Sequence, residues 1–201
     1  MVYDEIEYQE VKSPHGTFSE VRLPDGTNVW LNGGSTLKYP LTFRKGERDV
    51  FLSGEGYFEV HSDKENPFIV KTGQITLRAT GTAFNVEAYG SDSITAVTMV
   101  NGKIDVAFGN SSPVAMVPGE RASFNNLTKQ CLIAKTDPYK WYAWKDGLIH
   151  LHCAANVGKK LENISGCSDV CFVVVGDTMV QPEKFGTLYE SVILTGQMMP
   201  S

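Results

Sequence analysis

Three groups of residues in this chain have the types and spacing to do chemistry. His150, His152 and Cys153 stand close enough to ligate one metal, with Cys167 and Cys171 as further thiolates, since zinc takes imidazole and thiolate ligands in tetrahedral sets. On a strand, however, His150 and His152 share a solvent face while Ile149 and Leu151 pack inside. That reading is preferred, and no metal is assigned. Asp25, Glu55, Glu59 and Glu87 are the second group, because two carboxylates in one cleft hydrolyse glycosidic bonds. They fall on turns or outward strand positions and read as solvated surface. The third group is aromatic: Tyr139, Trp141, Tyr142 and Trp144 could stack on a sugar or form a hot spot for a protein partner. The reading slightly favoured is a plug that packs the linker between two domains. There is no G-x-S-x-G, Walker A, H-E-x-x-H or G-x-G-x-x-G pattern, so neither an enzyme class nor a cofactor follows.

The elements that must carry these residues are mostly strands. Phe84, Val86 and Ala88 alternate with Asn85, Glu87 and Tyr89, the two-residue period of a strand with one buried face. Ile75, Leu77 and Ala79 alternate before it, and Val97 to Val106 follows. Gly81 interrupts this central run and predicts a bulge or bend. Pro24-Asp25-Gly26-Thr27 predicts a hairpin turn, since proline presets φ and glycine accepts φ > 0. Asn101-Gly102 fits a type I′ hairpin turn, the strongest local signal in the chain. Gly54-Glu55-Gly56 separates two further strands, and Pro118-Gly119 joins two more as a hairpin. Short strands with turn residues every 8–12 positions and no helical period before residue 137 predict an antiparallel β-sandwich, jelly-roll-like, over residues 1–136.

The pattern changes near Thr136-Asp137-Pro138. Ala154 to Ile164 has helical spacing, although Gly158 weakens it by roughly 1 kcal/mol. Val170 to Val175 is a continuous apolar run, the mark of a strand covered on both faces, and Ser191 to Leu194 could form a last strand. A small α+β module over residues 137–201 is the expectation, so the fold class is mainly β with that module behind it.

Length and composition narrow the function. The chain has 201 residues, 42% of them hydrophobic, enough for one large or two small domains with a true core. A net charge of −5 argues against nucleic acid as a partner. No run of 18 or more apolar residues spans a membrane, and Asp4, Glu5, Glu7 and Glu10 near Met1 are the opposite of a secretory leader. The chain thus reads as cytosolic or as the trimmed soluble part of a longer protein. Its four cysteines, Cys131, Cys153, Cys167 and Cys171, are too few and too lopsided for a disulfide scaffold. Cys167 and Cys171 could pair in a loop or share a helix face; buried free thiols are preferred.

Several blocks together resemble a known family. Val21-Arg22-Leu23-Pro24-Asp25-Gly26-Thr27-Asn28-Val29-Trp30-Leu31-Asn32 is similar to the opening signature of the FecR family of bacterial anti-sigma regulators. In the same order follow Gly54-Glu55-Gly56-Tyr57-Phe58-Glu59-Val60, Pro67 to Val70, Gly81-Thr82-Ala83-Phe84-Asn85-Val86, Val100 to Val106 and Pro118-Gly119-Glu120. Trp144-Lys145-Asp146-Gly147 resembles the start of the C-terminal module found in many members, which is similar to the secretin and TonB short N-terminal domain. Beyond Gly147 the resemblance fades, and the end at Ser201 looks short for that module.

The resemblance implies a protein-binding role and no enzyme: the periplasmic, signal-receiving part of a single-span inner-membrane anti-sigma factor. Its implied partners are the signalling domain of a TonB-dependent outer-membrane transporter and an extracytoplasmic-function sigma factor. The sigma factor would be held by a cytoplasmic segment outside this chain, and the membrane met only through a transmembrane helix likewise outside it. Trp144, Leu148, Ile149, Leu151, Phe172 and Val174 are the candidate partner contacts, through paired sheet edges or an apolar patch. Some members of the family cut themselves at the glycine–threonine bond that matches Gly81-Thr82. Thr82 would be the nucleophile there, although no general base lies beside it in sequence. The alternative function, from the aromatic cluster and sandwich alone, is a periplasmic glycan-binding β domain.

Overall fold

A computed structural model of the chain describes residues 6–46, 48–109, 111–147, 149–151 and 178–180, the last two stretches as backbone only. The alternating segments form thirteen strands: β1 (Tyr8–Lys12), β2 (Ser19–Arg22), β3 (Asn28–Leu31), β4 (Thr36–Pro40), β5 (Arg48–Glu59), β6 (Phe68–Lys71), β7 (Ile75–Ala79), β8 (Ala83–Ala88), β9 (Ile94–Asn101), β10 (Ile104–Phe108), β11 (Val114–Met116), β12 (Glu120–Asn125) and β13 (Cys131–Lys135). They make one sheet curled on itself, so that its halves face each other as the expected sandwich. One half runs β1-β4-β5-β6-β7-β10-β11 and the other β2-β3-β5-β8-β9-β12-β13. All pairings among the described residues are antiparallel except β5–β6, which is parallel. Two antiparallel strands, β14 (Ile149–Leu151) and β15 (Thr178–Val180), form a separate pair. The predicted helix 154–164 and the strands 170–175 and 191–194 lie outside the described residues.

The core lies between the halves. Ile75, Leu77 and Ala79 of β7 and Ile104, Val106 and Phe108 of β10 face Val29, Phe58, Phe84, Val86 and Phe124 of the other half in one contiguous cluster. Ring contacts bridge the halves, Phe58 with Phe68 at 6.2 Å and Phe108 with Phe124 at 5.0 Å between centroids. Burying each such phenylalanine contributes about 1.5–3 kcal/mol.

β5 is the strand both halves share. Its first residues pair with β4 and β6, and from Gly54 onward it pairs with β3 and β8. The predicted break at Gly54-Glu55-Gly56 is therefore a corner inside one strand. Gly54 has φ +100°, and a Cβ there would lie 2.7 Å from the Cα of Ser35, so only glycine fits. Two other crossings stack on this corner: Ser13 N–H donates to Ser35 O, and Ser35 Oγ accepts from Glu55 N–H at 2.8 Å.

The crossings at the other end correct two expectations. Asn101-Gly102 joins β9 to β10, but these strands lie in different halves and do not pair. Only Gly102 takes positive φ (+87°), so the turn is a corner and not a type I′ hairpin. Pro118-Gly119 likewise carries the chain from β11 to β12 across the sandwich. Both are overruled by burial: Ile104 and Val106 reach the core only by crossing. The Pro24–Thr27 hairpin does form, with Arg22 opposite Asn28.

Arg48 fastens the bend of β5. Its guanidinium donates to His61 O (3.0 Å) and Asn66 O (2.7 Å) beyond the end of the strand, and to Asp25 Oδ2 (2.6 Å) in the β2–β3 turn. The two side chains are 4% and 9% exposed, so the ion pair is buried. Removing one partner strands the other charge, which costs about 3–5 kcal/mol. Arg48→Ala is expected to lose that much unfolding free energy by urea titration, with Asp25→Asn, which keeps an oxygen for Thr27, losing less.

A strapped sheet face and a strained corner

The outer face of the second half-sheet is covered by the segment that follows β13. Pro138 presets the first turn of α1 (Tyr139–Tyr142), and a 3-10 turn over Ala143–Asp146 ends at Gly147, whose φ of +74° is open to glycine. This strap lies on Trp30, Tyr57 and Arg121, which point outward from β3, β5 and β12. Tyr142 stacks on Tyr57 at 4.8 Å, and Trp30 lies 5.7 Å from Tyr57. Lys145 Nζ sits 5.3–5.6 Å from the centroids of Trp30, Tyr57 and Tyr142, a cage for its ammonium. The Arg121 guanidinium lies flat on Trp141 at 3.4 Å, while Trp141 Nε1 donates to Thr136 Oγ1. Trp144 is buried, at 7% exposed. The aromatic cluster thus packs on the outer face of the sheet, while the second domain that the plug reading places beyond it lies, apart from β14 and β15, outside the described residues.

Two of the carboxylates meet on the same face. Glu55 and Glu87 are direct cross-strand neighbours on β5 and β8, a destabilising like-charge pair unless each is neutralised. Glu55 is 2% exposed and accepts from Asn32 Nδ2 (2.8 Å) and Asn85 Nδ2 (2.9 Å). Glu87 takes a two-pronged ion pair from Arg121, which also donates to Thr98 Oγ1. Asp25 pairs with Arg48, and Glu59 is exposed. The expectation of solvated surface therefore fails for Asp25 and Glu55 and holds for Glu59. Arg48, Arg121 and Lys145, which organise these acids and rings, were not singled out by sequence; opposite charges at outward positions were the one available signal.

Gly81 and Thr82 form the crossing from β7 to β8. Gly81 is exposed with φ +134°, and a Cβ there would lie 2.8 Å from Ser62 Cβ. The facing corner is as tight, since a Cβ on Gly102 would lie 2.7 Å from Thr82 Cγ2. Thr82 is buried, and its Oγ1 has no hydrogen-bond partner, which is costly for a hydroxyl. Thr82 O accepts from Val60 N–H at 2.9 Å and fixes the turn. The predicted bulge falls just beyond, where Phe84 pairs with Met99 and Ala83 with Asn101, one residue being extra on β9.

Of the other candidates, Ile149, His150 and Leu151 lie on β14, with side chains outside the description, and Leu148, His152, Cys153, Cys167, Cys171, Phe172 and Val174 fall outside the described residues. Cys131 is a free thiol on exposed β13, against the expectation of buried thiols. Among the described residues no cluster of metal ligands occurs, and no helix is long and apolar enough to cross a membrane.

Comparison with known proteins identifies the class. The family model of the FecR protein matches residues 9–105. Crystal structures at 1.65 and 2.50 Å of a protein assigned as an anti-sigma factor, from Parabacteroides distasonis ATCC 8503, superpose with a TM-score of 0.79 at 30% identity, covering 91–92% of this chain and 92% of theirs. No curated protein matches the chain. The chain belongs to the FecR family of anti-sigma regulators.

Burial also shapes two phenols, that of Tyr57 under the strap and that of Tyr89, which donates to Gly33 O beside the Gly54 corner. Burial, reinforced by the charge of Glu59, holds the Tyr57 hydroxyl well above its ordinary 10.0, and burial with the charge of Glu55 does the same for Tyr89. Both stay protonated in the folded chain at pH values where the unfolded chain has ionised. Their contribution to stability is therefore complete below pH 10 and falls as the pH rises beyond it. Absorbance at the tyrosinate band is expected to show these two ionising only together with loss of the fold.

Proposed function

We propose that this chain is the signal-receiving part of a membrane-anchored anti-sigma regulator. On this reading it lies at the periplasmic face of the inner membrane and relays occupancy of a TonB-dependent outer-membrane transporter to an extracytoplasmic-function sigma factor. The small module, with β14 and β15, receives the signalling domain of the transporter, and the sigma factor is held by a segment outside this chain. The observation that supports relay is the strap: the residues leading into the module are fastened to β3, β5 and β12 by Tyr142, Lys145 and Trp141. A shift of the module therefore pulls on the strand that both half-sheets share. Calorimetric titration of the whole chain with that signalling domain is expected to show binding. Tyr142→Ala with Lys145→Ala should bind as tightly yet fail to switch a sigma-dependent reporter. Absence of binding heat up to about 1 mM would sink direct reception.

A second proposal rests on the Gly81-Thr82 corner, where a left-handed glycine precedes a buried, unpartnered hydroxyl. Thr82 Oγ attacks the Gly81 carbonyl, the acyl group passes from nitrogen to oxygen with the proton returning to the amine, and water then cleaves the ester. The products are residues 1–81 and 82–201. Mass spectrometry of the chain after denaturation is expected to find both, and Thr82→Ala intact. Intact wild-type chain after long incubation would refute the proposal.

A further inference from the structure

We infer that Gly102 is a positioning residue for cleavage at Gly81-Thr82, a role that rests on the self-cleavage proposed above. Gly102 turns the corner between β9 and β10, Thr82 the corner between β7 and β8, and the two corners meet. A Cβ on Gly102 would lie 2.7 Å from Thr82 Cγ2, 3.2 Å from Thr82 Cβ and 3.1 Å from Gly81 O. The side chain that carries the nucleophile and the carbonyl it attacks therefore abut the same glycine. A positive φ of +87° already calls for glycine at this corner. The contacts are a second demand, which turning the chain does not make: Gly26 turns with φ +86° and has no neighbour closer than 3.8 Å to its missing Cβ.

A β-branched side chain has few χ1 states, and either a hydrogen bond from its hydroxyl or the packing of its methyl selects one. Thr82 Oγ1 is buried and has no partner, so the methyl seated on Gly102 makes the selection. The hydroxyl is thereby held with no hydrogen bond to break before attack. A methyl group added at residue 102 would be relieved most cheaply by rotation of Thr82 about χ1, which swings Oγ1 off its present line. In the reaction the bond from Thr82 Oγ to the Gly81 carbonyl carbon forms and the bond from that carbon to Thr82 N breaks. The hydroxyl proton ends on the nitrogen, and water then divides the ester into acid and alcohol.

Time courses of the fragments 1–81 and 82–201, read by mass spectrometry during cell-free synthesis of the full chain, test this. Gly102→Ala is expected to slow cleavage about tenfold or more, with a wild-type circular dichroism spectrum. Gly26→Ala imposes the same backbone strain away from Thr82 and should cleave at the wild-type rate. Thr82→Ser keeps the hydroxyl but not the methyl, and should be slower than wild type although its primary hydroxyl is less hindered. Adding Gly102→Ala to Thr82→Ser should then cost little more, because no methyl remains to be displaced. Cleavage of Gly102→Ala at the rate of Gly26→Ala overturns the role of Gly102 and leaves self-cleavage standing, as does full multiplication of the two single losses in the double variant. Should Gly102→Ala not fold, Thr82→Ser decides alone, and cleavage at or above the wild-type rate overturns the role. A wild-type chain that stays intact overturns the role and self-cleavage together.

Discussion

The fold depends on one strand being bent and kept bent. β5 gives its first residues to one half-sheet and its last to the other, and the bend at Gly54 is possible because Ser35 occupies the space a side chain would need. A corner alone would be a hinge. Arg48 makes it a fixed angle by binding carbonyls beyond the far end of the same strand and the Asp25 carboxylate of a neighbouring turn. Arginine suits this task because its planar fork serves several acceptors at once. An apolar residue could fill the site at lower desolvation cost, but it could not tie three separate segments. The Leu23–Thr27 signature is thereby a structural motif: Asp25 also accepts from Thr27 N–H and Oγ1, and Thr27 Oγ1 accepts from His61 N–H.

Strand existence was legible in the sequence and strand partnership was not. The alternation at Ile75–Ala79 and Phe84–Ala88 names the core face correctly, because a period of two is a local property. Asn101-Gly102 shows the limit. The dipeptide states that the chain turns with a glycine at positive φ, and it does. Whether the flanking strands then pair or part is decided by where Ile104 and Val106 find buried surface, which no local pattern contains. The carboxylates fail for a related reason. Alternation places Glu55 away from the core, and it is away from the core, yet there Asn32 and Asn85 enclose it under a second layer of polar side chains. Two layers of covering cannot be read from a period of two. Thr82 was legible only through resemblance, since an unpartnered hydroxyl is a property of its surroundings.

The strapped face is polar, and that determines how the strap is held. Glu55 and Glu87 sit opposite one another, so this face could not be buried under an apolar segment without stranding charge. Arg121 resolves the conflict by neutralising Glu87 on one side and stacking on Trp141 on the other. Lys145 in turn brings a cation to Trp30, Tyr57 and Tyr142. Contacts of this kind are directional, and individually they are worth about 0.5–2 kcal/mol. A segment held by several of them stays in one place yet detaches at a cost well below that of opening the core.

The same topology gives the Gly81-Thr82 corner mechanical meaning. β1 to β7 lie before it and β8 to β13 after it, and the strap is fastened to strands from both sets: β3 and β5 before, β12 after. Intact, the corner is a covalent tie between β7 in one half-sheet and β8 in the other. Were it cut, the two pieces would still be joined by the β5–β8 and β7–β10 ladders and by a common core. Such ladders resist solvent and thermal fluctuation well but yield to a directed pull, because backbone pairs at an edge open one after another. A pull entering through the residues beyond Gly147 would load the strap first, then β12 and the shared strand β5. Cleavage at the corner would thus leave two pieces held together by these two ladders and the common core alone.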